Sequence, residues 1–210
     1  MPHVVLLGDS VFDNGAYVGA GPDVVTQLRR LAPTGWDATL RAVDGSVVRG
    51  VRRQAADLPG GATHLVVSAG GNDALGHTGL LEERAASTAE VLDRLAEVAR
   101  QFAEDYQEML RAVSRAGLPF GVCTIYYPRF TDPTAQRLAV TALSVFNDVI
   151  IREAFAAGLP LLDLRLVCDE DADYANPIEP SAAGGGKIAR AVVRLVSEHD
   201  FRRGRTEVFV

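Results

Sequence analysis

The chain has 210 residues, of which 48% are hydrophobic and 23% charged, and it carries a formal net charge of -6. A chain of this length can bury a substantial core, and the composition is that of an ordinary soluble globular protein. The acidic balance argues against a nucleic-acid backbone as principal partner, because that role needs a basic face.

Taken in order, the segments alternate in period. HVVLLG at 3–8 is a short apolar run ending in Gly and predicts a buried strand. PDVVTQLRRLA at 22–32 has helical spacing with Pro at its start. WDATLRAV at 36–43 alternates apolar and polar residues and predicts a strand nearer a sheet edge. VVRGVRRQAADL at 47–58 predicts a helix and THLVVSAG at 63–70 a third strand. A long helix is expected over 85–116, a fourth strand at 119–126 and another helix at 134–157. PLLDLR at 160–165 predicts a fifth strand, and a last helix is expected from Ser181 to about His199. Residues 200–210 form a short tail that either adds an edge strand or makes a peripheral contact.

Strands alternating with helices imply right-handed crossovers and a mostly parallel sheet covered on both faces. The expectation is one α/β domain over residues 1–210, a three-layer α/β/α sandwich on a flavodoxin-like five-stranded sheet. The two cysteines, Cys123 and Cys168, sit in no metal-binding pattern. The N-terminus has no basic region leading into a long apolar stretch, and no run is long enough to span a membrane, so a cytoplasmic location is expected.

Ligands of such sheets bind beyond the carboxyl ends of the strands. Here those ends open into GDSVFDNG, VDGS, GGNDALGH, YYPRF and RLVCDEDADYANPIEP. Ser10 follows the first strand with Gly8 two positions before it, which allows a sharp turn and an exposed hydroxyl. Gly45 leaves a backbone N–H unshielded after the second strand, and Asn72 offers a carboxamide donor after the third. Two amides and a carboxamide meeting at one point would make an oxyanion hole. Taken singly, each has an ordinary reading: Ser10 as a cap, Gly45 and Asn72 as turn residues.

In this order, GDS at 8–10, Gly45 and GGND at 70–73 resemble the SGNH, or GDSL, hydrolase family over nearly the whole chain. The resemblance implies a flavodoxin-like sandwich, Ser10 as nucleophile, and an oxyanion held by Ser10, Gly45 and Asn72. It also implies hydrolysis or transfer of an acyl ester, with a small-molecule ester as partner and no metal or cofactor. The fourth block departs from the family. Where the family has Asp-x-x-His before the last helix, the register set by PSAAGG puts Asn176 and Glu179. Glu is the weaker base, with an unperturbed pKa near 4.3 against about 6.5 for imidazole, although burial can raise it. Asn176 could orient the carboxylate by a hydrogen bond. Two readings follow: an esterase working through Ser10 and Glu179, or a binding protein that keeps the pocket without the proton shuttle.

Of the histidines, only His77 lies in a segment near the expected site, and it is an alternative base or a substrate contact. Asp9, Asp73, Tyr127 and Arg129 are further candidate substrate contacts. GGGK at 184–187 is not a phosphate loop, since Ser181 stands where a Gly is required and Ile188 follows the Lys. The acidic run at 169–173 reads as a solvated loop.

Overall fold

The computed structural model describes residues 1–210. Six strands form one sheet in the order β2-β1-β3-β4-β5-β6. They are β1 (His3–Gly8), β2 (Asp37–Leu40), β3 (His64–Ser68), β4 (Phe120–Cys123), β5 (Leu161–Leu162) and β6 (Val208–Phe209). Every pairing is parallel. The expected five-stranded order is present with a sixth strand added. The tail is not peripheral: Leu161 and Asp163 donate their N–H groups to the carbonyls of Glu207 and Phe209, and the Phe209 ring is buried.

The helices are α1 (Val24–Leu31), α2 (Val48–Ala56), α3 (Gly71–Leu75), α4 (Thr88–Ser114), α5 (Pro133–Ala157), α6 (Leu164–Val167) and α7 (Ala182–Glu198). Their ends follow capping chemistry. Asp23, Ser87, Asp132 and Ser181 each accept a first-turn N–H from the side chain. Pro133 opens α5, and Gly158 closes it in the left-handed region at φ 64°. The predicted fifth strand is cut to two residues because Asp163 caps α6 directly after it.

Side-chain alternation along the strands divides the core. Val4, Leu6, Val66, Cys123 and Leu162 point to the face covered by α1 and α7. Val5, Leu7, Leu65, Val67 and Val122 point to the face covered by α2, α4 and α5. Because the strands run parallel, the loops after β1, β2, β3 and β4 leave at one rim of the sheet, where the sequence places its candidate groups. No helix is long and apolar enough to cross a membrane.

Candidate active site

Ser10 sits in a tight turn directly after β1, where the N–H groups of Phe12 and Asp13 both return to the Asp9 carbonyl. Gly8 makes this turn possible. Its φ is 129°, and a Cβ there would lie 1.7 Å from the Ser68 carbonyl oxygen, so no other residue fits. Gln54, buried on α2, holds the same residue from the other side. It accepts the Gly8 N–H at 2.7 Å and donates to the Gly8 carbonyl at 2.8 Å. The sequence reading missed Gln54. Its signal was available: a polar residue at 54 in helical phase with Val48 and Val51 on the buried face of α2.

Gly45 is exposed with φ 74°, and its N–H meets no protein acceptor. Asn72 lies in the first turn of α3 and donates its carboxamide to the Ser46 carbonyl at 3.0 Å. That bond draws the start of α3 against the Ser46–Val47 peptide. One of the two Asn72 amide hydrogens is thereby used, and the second has no protein acceptor. The Ser10 N–H is likewise without an acceptor in the protein.

Glu179 reaches the same cavity from the loop before α7. Asn14, fully buried, donates to the Pro180 carbonyl at 3.2 Å and so ties the Ser10 segment to the Glu179 loop. Tyr126 donates its hydroxyl to the Ile178 carbonyl at 2.6 Å. Ala175 donates its N–H to the Glu179 carbonyl at 2.9 Å. Glu179 as a residue is 7% exposed, and its Oε2 is buried without a hydrogen-bond partner. Burial pushes the carboxyl above the usual carboxylate range, while the nearby Ser10 hydroxyl favours the charged form and pulls it back. The two groups approach each other without a well-aligned hydrogen bond. Contacts of this kind are often loose until substrate is bound.

Asp9 is 3% exposed and accepts the Val11 N–H at 3.1 Å. Burial pushes its carboxyl to about 7, with the neighbouring Glu179 and Asp73 carboxylates adding to the rise. Asp9, Ser10, Asn72, His77 and Glu179 line one cavity of about 350 Å³, whose remaining lining is mostly apolar.

Several sequence expectations need correction. Asn176 does not touch the Glu179 carboxylate. Its Oδ1 accepts the backbone N–H groups of Ile178 and Glu179, both at 3.0 Å, in a local turn. Asp73 is turned away from the cavity and caps α2 by accepting the Val48 N–H at 3.0 Å. Tyr127 is not part of the cavity wall; the neighbouring Tyr126 is, because one step along an extended exit reverses the side chain's direction. Arg129 is also outside the wall. It bonds the Asp169 carbonyl, pairs with Asp171 at 3.3 Å and lies over the Tyr174 ring. His77 does line the cavity, is exposed, and stacks 6.2 Å from Phe146. The acidic run is not wholly solvated: Asp173 is buried and pairs with Lys187 at 2.9 Å, which also holds Asp169 and Glu170.

The model of the GDSL-like Lipase/Acylhydrolase family matches residues 6–185. No curated protein matches the chain by sequence. Among solved structures, the extracellular lipase of Streptomyces rimosus superposes with a TM-score of 0.66 at 17% identity, covering 94% of this chain and 100% of that one. The lipase/acylhydrolase of Enterococcus faecalis gives 0.65 at 16% identity, covering 93% and 95%. Phospholipase A1 of Streptomyces albidoflavus NA297 gives 0.60 at 20% identity, covering 94% and 99%. At these identities the likeness is one of fold.

Proposed function

The chain belongs to the GDSL-like lipase/acylhydrolase family, and on that premise we propose that it hydrolyses carboxylic esters through Ser10, with Glu179 as the base. The observation that carries this reading is the meeting of Ser10 with a buried, unpartnered Glu179 carboxylate oxygen in the wall of one cavity. A buried acceptor without a donor is costly, and a serine or substrate proton would satisfy it.

In the proposed reaction Ser10 Oγ forms a bond to the ester carbonyl carbon as its proton passes to Glu179. The carbonyl electron pair moves onto oxygen. The free N–H groups of Ser10 and Gly45 and the second Asn72 amide hydrogen receive that charge. The pair then returns, the carbon–oxygen bond to the alcohol breaks, and the alcohol leaves with the proton from Glu179. Water attacks the acyl-serine by the same route and releases the acid. The raised Glu179 pKa makes this carboxylate a better base than an exposed one, provided it is ionised at working pH. Asn176 acts in this scheme by fixing the Glu179 backbone.

A second reading is binding without turnover. It is favoured by the absence of any side chain that orients the Glu179 carboxylate. Hydrolysis of short-chain p-nitrophenyl esters separates the two. The esterase reading expects a measurable wild-type rate that Ser10→Ala abolishes and Glu179→Gln lowers by about 10²–10⁴-fold, the range for loss of a general base. An unchanged rate in Ser10→Ala would remove the serine mechanism. No wild-type rate, with turnover appearing in Glu179→His, would favour the binding reading.

A further inference from the structure

The cavity that meets Ser10 is far larger than the reacting groups need. It holds about 350 Å³, and 18 of its 27 lining residues are hydrophobic. A concave, mostly apolar lining with a few polar groups at one end is the usual make-up of a small-molecule site. One wall is α5, which contributes Ala135, Leu138, Ala139, Ala142, Leu143 and Phe146. These positions recur at helical spacing and so form one stripe along the cavity, with Phe146 at its inner end packed edge-on against Phe102. From 135 to 146 the stripe runs about 16 Å at 1.5 Å per residue, which makes the space a trough. The facing wall comes from α3 and the turn after it, through Leu75, Leu80 and Leu81.

We infer that this trough takes an unbranched aliphatic acyl chain of about six to ten carbons, so that the substrate is a medium-chain ester. The inference rests on the ester-hydrolase reading of Ser10. Size sets the upper limit: 350 Å³ is the volume of about a dozen waters at roughly 30 Å³ each, a methylene is of similar size, and the ester group itself takes the share of about two of them. Shape favours a chain over a compact ring. Polarity sets the orientation. Outside the trough's lining but close enough for its charge to act on Glu179, Asp44 is exposed, accepts the Tyr17 hydroxyl at 2.7 Å, and donates its N–H to Asp13 at 2.9 Å. That wet, acidic side suits the alcohol, which must depart in the first step, and admits the water of the second. The apolar trough suits the group that stays bonded to Ser10 in between.

The test is a p-nitrophenyl ester series from acetate to palmitate, with a pair of isomers, ethyl octanoate and octyl acetate. Full burial of each methylene sets a ceiling of roughly fourfold in kcat/KM. The expected result is a rise of at least about 30-fold from acetate to a maximum between hexanoate and decanoate, within that ceiling. Ethyl octanoate should be hydrolysed faster than octyl acetate. Ala142→Trp, which fills the trough, should lower the octanoate-to-acetate ratio by about 10-fold or more, and Ala139→Phe serves if that variant does not fold. Acetate as best substrate, a preference for octyl acetate, or an unchanged ratio in the filled variants would each overturn the inference. If no ester is hydrolysed, the Ser10 reading fails separately. Calorimetric binding of 1-octanol to wild type and its loss in Ala142→Trp would then still support the trough, and no binding would overturn it.

Discussion

The turn that carries Ser10 and the loop that carries Glu179 are both fixed at the backbone, by different means. The Ser10 turn is fixed chiefly by sterics: Gly8 approaches Ser68 so closely that a Cβ would fall 1.7 Å from its carbonyl, and Gln54 adds hydrogen bonds to both polar groups of Gly8. The Glu179 loop is fixed by polar bonds from Asn14, Asn176 and Tyr126 to main-chain atoms. Ser10 therefore owes its place to the sheet, and Glu179 owes its place to side chains that reach across to it. The difference teaches where the site is rigid and where it can be tuned. In both segments the reactive side chain is left without a well-aligned partner, and in the Ser10 turn the Ser10 N–H is free as well.

Breaking each side should give effects of different kinds. The largest is expected for Gly8→Ala, where a side chain cannot coexist with the Ser68 carbonyl. Soluble expression or a cooperative melting transition should be lost. Next is Asn72→Ala, which removes a proposed oxyanion donor and should lower kcat on p-nitrophenyl butyrate by about 10²–10³-fold. Some loss of stability should accompany it, since the bond to Ser46 goes too.

A smaller effect is expected for Asn176→Ala. The Glu179 carboxylate stays, but its backbone loses the local turn. Misplacement should cost about 10–100-fold in kcat/KM with little change in melting temperature. A fall in stability without a fall in rate would contradict the assignment of Asn176 as a positioning residue.

The smallest effect concerns Asp9. Its carboxyl binds a proton more tightly in the folded chain than in the unfolded one, with about 7 against 3.8. Its contribution to stability is thus fully present below about pH 4 and is lost as pH rises through 7. Asp9→Asn keeps the acceptor for Val11 and removes the charge. It should raise the melting temperature at pH 8 by a few degrees and leave it nearly unchanged at pH 4, as thermal melts at the two values would show.

What could be read from the sequence depended on whether the signal was local. The run at 3–8 coincides with β1 because a strand buried on both faces needs continuous apolar residues. Ser181 was legible as the cap of α7 for the same local reason. β6 was left undecided, since two residues of pairing depend on a neighbouring strand 46 or more positions away. That Tyr126 and not Tyr127 lines the cavity is a matter of parity, which the run YYPRF does not reveal. Arg129 reads as a candidate contact from sequence because its partners lie far along the chain, in the loop at 169–171. The apolar stripe of α5 was legible as a helix, yet a stripe facing a void and one facing a core have the same spacing.

The central claim, a Ser10 nucleophile served by Glu179, is tested most directly by fluorophosphonate labelling with mass mapping of the adduct at several pH values. The expected result is one adduct, on the peptide containing Ser10, with a labelling rate that climbs as Glu179 ionises and falls at least about 100-fold in Glu179→Gln. No adduct, an adduct on another residue, or a labelling rate indifferent to Glu179→Gln would contradict it.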